Sequence, residues 1–167
     1  MDDAILTVFG VCTRRSTGVK RVRVAQIEVG LRAYLEAGAA DLLTAEELTL
    51  LAAEREFAPE GAACRLFSST LLTAALPGFL MPPYLVPDFL LREAQLSMVG
   101  AFIDFLVPAN RYDHGSDRLR TMLRRTLAEA MQDLKRERQA QSLERLLGQL
   151  SAEQLEHMER LRRDAPD

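Results

Sequence analysis

Apolar residues along this chain recur every three or four positions through most of its length, the spacing of a helix face rather than a strand face. Val24, Ile27, Leu31, Tyr34 and Leu35 make one such face, and Gly38 follows as a stop signal. Thr44-Ala45-Glu46-Glu47 has the form of a capping box. It predicts a helix through about Phe57, with Leu48 and Leu51 inward and Pro59 beyond its end. A further helix is predicted from about Glu60 to Ala75, burying Cys64, Phe67, Leu71 and Leu72 and ended by Pro77-Gly78. "PGFLMPPYLVP" (77–87) reads as a connector, because proline fixes φ and removes amide donors. Its Phe79, Leu80, Met81, Tyr84 and Leu85 are expected to pack on the body; a proline-rich ligand for an aromatic groove is the sharper alternative. Asp88 then caps a helix through about Leu106. Phe89, Leu90, Leu96, Val99, Phe102, Ile103, Phe105 and Leu106 spread around its circumference, the pattern of a central helix.

Residues 4–24 fit two patterns. Thr7, Val8, Val11 and Thr13, then Val19, Val22 and Val24, are β-branched and flank Ser16-Thr17-Gly18, which reads as a hairpin. Ile5, Val8, Phe9 and Cys12 equally fit one face of a helix.

Beyond the polar loop 109–116 a long helix is predicted from about Asp117, with Leu119, Leu123, Leu127, Ala130 and Leu134 inward. "KRERQAQS" (135–142) interrupts that stripe, holding only Ala140 as an apolar residue. The stripe returns as Leu143, Leu146, Leu147 and Leu150. After a second cap signal, Ser151–Gln154, come Leu155, Met158 and Leu161. The fold expectation is therefore mainly α: a single bundle of about six helices around the 88–106 helix, with an N-terminal β-hairpin as one reading of residues 4–24. Residues 1–138 form the helical domain, and 139–167 form an amphipathic helical appendage. Leu143, Leu146, Leu147, Leu150, Leu155 and Met158 would fill a partner's groove or pair with a second copy. Folding back onto the bundle is the plainer alternative.

Composition agrees with a globular chain: 167 residues, 48% hydrophobic and 27% charged. Net charge is −3, which argues against a body built throughout to coat nucleic acid. The charges are segregated. Arg14, Arg15, Lys20, Arg21, Arg23 and Arg32 stand against Glu28 alone in residues 14–32. Glu36, Asp41, Glu46, Glu47, Glu54, Glu56 and Glu60 stand against Arg55 alone in residues 36–60. The two blocks could neutralise each other within one subunit or across a dimer. Arg14, Arg15, Lys20, Arg21 and Arg23 are thus a candidate partner-binding surface. Phosphate contact is the competing reading, weakened because no aromatic interleaves with these cations.

Candidate chemistry is sparse. "RYDHGSDR" (111–118) brings Arg111, Asp113 and His114 together after the most apolar helix. Asp104 within that helix is a further ligand-site candidate, with an arginine such as Arg111 as its simplest partner. In the bland reading, Ser116 or Asp117 only caps the next helix. Cys12 and Cys64 sit among apolar residues, as small buried hydrophobes do. No HExxH, CxxC or glycine-rich phosphate loop is present, so no cofactor, metal or catalytic residue is expected. The expectation is a soluble, cytoplasmic (intracellular) interaction or regulatory protein of adaptor type, without catalysis and without a membrane span. Its partner is a protein or a second copy. A nucleic-acid-binding regulator and a small-molecule-binding bundle are the alternatives.

Overall fold

The computed structural model of the protein describes residues 1–107 and 114–148, with the side chains of the last helix from 117 onward. Seven α-helices account for nearly all of them, with no strand among the described residues. They are α1 (Asp2–Arg14), α2 (Gly18–Ala37), α3 (Ala45–Phe57), α4 (Ala62–Leu66), α5 (Ser69–Phe79), α6 (Phe89–Leu106) and α7 (His114–Gly148). A 3-10 turn, Ala40–Leu42, links α2 to α3. The chain divides into two compact units between Met131 and Gln132, a point inside α7. No helix among the described residues is long and apolar enough to cross a membrane.

The N-terminal hairpin reading is overturned: residues 4–24 belong to α1, a short turn and α2. Ile5, Val8 and Phe9 are buried along one face of α1, and Val24 continues into the buried face of α2. Thr7, Val19 and Val22 are exposed, where strand propensity has no neighbouring strand to act through. Asp2 and Asp3 in the first turn of α1 favour its start. Gly18, at φ 53°, takes the left-handed backbone that turns the chain into α2.

The capping box at Thr44 is formed in both directions: Glu47 N donates to Thr44 Oγ1, and Thr44 N donates to Glu47 Oε2 at 2.8 Å. The single helix predicted over 60–75 is instead two. Phe67 is extended, and the Ser68 hydroxyl accepts from Thr70 N at 3.2 Å to begin α5. A serine that bonds nearby backbone offers the chain an alternative to continuing a helix. Pro77 does not end α5, which runs to Phe79. So near the end of a helix a proline forfeits a single amide bond.

Helix α2 packs against α1, α4, α5 and α6, and α6 packs against α1, α2 and α5. Leu31, Leu72, Leu96, Phe102 and Ile103 are among the fully buried residues, and Phe9 meets Phe102 edge to face at 5.6 Å. A smaller cluster of Leu51, Ala62, Ala63 and Phe67 lies at α3 and α4. Leu90 and Phe105 of α6 stay exposed, so this helix is not buried all round.

The proline connector lies against α6 by polar ties as well as apolar contact. Phe79 and Leu80 are buried, whereas Met81 is exposed. The fully buried Gln95 donates through Nε2 to the carbonyls of Phe79 (2.8 Å) and Tyr84 (3.1 Å). Its Oε1 accepts from Val86 N at 3.0 Å. Arg92 donates to Val86 O and Pro87 O. Because proline strips donors from this stretch, its remaining backbone groups find partners on α6.

Candidate interaction surface

Helices α1 and α2 meet at a corner that carries the basic segment. Arg14 closes α1 and Arg15 follows it. Lys20, Arg21 and Arg23 lie in the first two turns of α2. All but the half-buried Arg23 are exposed, and none of the five forms an ion pair among the described residues. Arg32, the sixth cation of the block, is spent internally. It donates to Asp2 of α1 at 2.6 Å and to Glu28 at 3.1 Å.

Among the described residues the acidic block forms no ion pair with the basic one. Its partners are its own arginine and Arg65 just after it. Arg55 pairs with Glu36, whose carboxylate also accepts from Ala63 N at 2.9 Å. Arg65 bonds Glu54 at 2.8 Å and the carbonyls of Ala58 and Glu60. These contacts tie α2, α3 and α4 together. Asp41, Glu46, Glu56 and Glu60 stay exposed.

Of the ligand-site candidates, only Asp104 has its side chain among the described residues. Arg111 and Asp113 lie outside the described residues, as does the side chain of His114, whose backbone opens α7. Asp104 is exposed, and its partners are Arg120 at 3.0 Å and Arg124, both on α7. Slight burial pushes the Asp104 carboxyl up. Hydrogen bonds and charge from Arg124 and then Arg120 outweigh that and hold it below the usual aspartate value. A lowered carboxyl pKa stabilises the fold above the unfolded value, and that contribution is lost as pH falls through the folded one. The wild type should therefore melt slightly above Asp104→Asn at pH 7. The gap should close below the ordinary aspartate pKa of about 3.9. A gap unchanged at low pH would show that the arginine pair is not its source.

The remaining chemistry is quiet. Cys12 and Cys64 are free; burial pushes both thiols up, against Arg15 for the first and Arg32 for the second. Among the described residues no group of three His, Cys, Asp or Glu side chains is placed to hold a metal ion. An open depression beside Asp117, Arg118, Thr121, Met122 and Arg125 is a surface feature of α7.

In the second unit, Leu143, Leu146 and Leu147 are exposed on α7. Leu150, Leu155 and Met158, which continue that stripe in sequence, lie outside the described residues. Two features escaped the sequence reading. Gln95 looks like one polar residue in an apolar helix, and its only signal is the donor-poor connector before it. Val19 and Val22 were read, with Val24, as part of a hairpin strand, whereas a three-four spacing through Gln26 and Val29 to Ala33 also runs through them. No family model, curated protein or solved structure matches the chain.

Proposed function

We propose that the protein is a non-catalytic helical interaction module of adaptor or regulatory type. In this reading it self-associates or binds a protein partner through the basic segment 14–23 and the C-terminal leucine stripe beginning at Leu143. The observation that carries the proposal is the unpaired basic corner. Among the described residues five cations are gathered at one turn without an acidic partner, and the paired carboxylates of the acidic block, Glu36 and Glu54, are taken by Arg55 and Arg65 instead. Clustered like charge of this kind costs the fold a little through self-repulsion and favours an oppositely charged surface. The exposed Leu143, Leu146 and Leu147 supply the apolar part that charge alone lacks.

The same corner supports a second reading, duplex nucleic acid bound through phosphates at the positive end of α2. One set of full-chain variants separates the two. Replacing Arg14, Arg15, Lys20, Arg21 and Arg23 with Gln should reduce assembly or partner capture, while each exposed change alters stability by no more than about 0.5 kcal/mol. Leu143→Glu with Leu146→Glu should do the same. Mass in solution, measured with and without duplex DNA over a salt series, reads the result. Salt-sensitive DNA binding with no protein assembly would shift the assignment to nucleic acid. Neither activity in the wild type would remove both readings.

A further inference from the structure

The face of α2 opposite the core carries a second pattern. Val24, Ile27, Leu31, Tyr34 and Leu35 point inward. On the other side Val19, Val22, Gln26, Val29 and Ala33 are all exposed, the valines at 65, 58 and 68%. Their separations alternate between three and four residues, the spacing with which one helix seams onto another. The seam holds no charge. Beside it Gly30 and Ala37 are small, and a Cβ built on Gly30 meets nothing within 4 Å, so another backbone can come close.

The charges along α2 indicate what covers this face. Its first turn holds no acidic residue and its last turn no basic one. Lys20, Arg21 and Arg23 sit near the N-terminal end, where the helix dipole is already positive. Glu36, already paired with Arg55, and the exposed Asp41 just beyond sit at the negative end. Both ends are charged against the helix itself. A second α2 running antiparallel reverses this, because each basic end then lies beside an acidic end.

We propose that two copies of this chain pair through α2, antiparallel about a two-fold axis near the middle of the helix. The idea rests on the reading as an interaction module; its apolar seam, Val19 to Ala33, lies outside both the basic-to-Gln and the leucine variants, while its charge complement draws on the basic corner. Full overlap of Gly18–Ala37 with its copy sets Val22 beside Ala33 of the second copy, and Gln26 beside Val29 of the second copy. Each copy uses the same patch, so assembly closes at two. The shared length is about 30 Å at a rise of 1.5 Å per residue.

Oxidative cross-linking of the full chain tests the register, with Cys12→Ser and Cys64→Ala as background. Val22→Cys combined with Ala33→Cys should give a covalent dimer. Val22→Cys alone should not, because the two copies of that residue lie about 16 Å apart along the antiparallel pair, beyond disulfide reach. Analytical ultracentrifugation supplies the affinities. Val22→Glu with Val29→Glu should weaken the dimer at least about tenfold with helicity unchanged. Gln26→Leu, which removes the one polar seam residue, should tighten it. A monomer at every concentration overturns the proposal, as does cross-linking by the single cysteine as readily as by the pair. A dimer lost with the leucine or basic variants but indifferent to the seam variants also overturns it, and leaves the interaction-module reading standing.

Discussion

Gln95→Leu lowers the stability of the protein by about 2–4 kcal/mol, although leucine is apolar, helix-favouring and similar in size. Two carbonyls and one amide lose their partner together, and Phe79 O is the most deeply placed of the three. Water reaches Tyr84 and Val86 in part, since both are half-buried. That access keeps the loss below the sum for three sealed groups. Chemical denaturation with circular dichroism measures the change. A loss under about 0.5 kcal/mol would show that solvent replaces Gln95 without difficulty. Arg92→Leu in the same series distinguishes the buried tie from the outer one, and its effect should be smaller because Arg92 is only half-buried.

Phe102→Ala costs about 3–5 kcal/mol, and Phe105→Ala on the same helix costs well under half of that. Phe102 is 1% exposed and holds the edge of Phe9, so removing its ring leaves a hole where α1 meets α6. Phe105 is 48% exposed and leaves little void. The contrast between two phenylalanines three residues apart is the test. Equal losses would mean that α6 buries a different face from the one described.

Much of the helical content was legible because apolar spacing and caps agree. The Thr44–Glu47 box, Asp88 before α6 and the stripe from Val24 to Leu35 all appear in the structure where the sequence placed them. Residues 4–24 were ambiguous for a physical reason. β-branched residues favour strands only when a neighbouring strand covers them, and Thr7, Val19 and Val22 have water instead. Hydropathy also overstated the burial of α6, since Leu90 and Phe105 are as apolar as their buried neighbours and differ only in which way they face. For Asp104 the sequence offered Arg111. The structure pairs it with Arg120 and Arg124, one helical turn apart on α7 and beyond any spacing rule within α6. The basic corner was readable as composition. That its cations form no ion pair among the described residues was not, because pairing depends on which helices become neighbours.

The aromatic contacts at the junction of α2, α5 and the connector bear on how the molecule is observed. Tyr34 and Tyr84 meet at 4.6 Å, and Tyr34 also meets Phe79 at 5.6 Å. The chain has no tryptophan and only three tyrosines. Two of its three strongest ultraviolet chromophores are therefore locked together at one spot. Near-ultraviolet ellipticity and tyrosine emission will report mainly on that junction, so α1 or α3 could loosen while both signals hold steady.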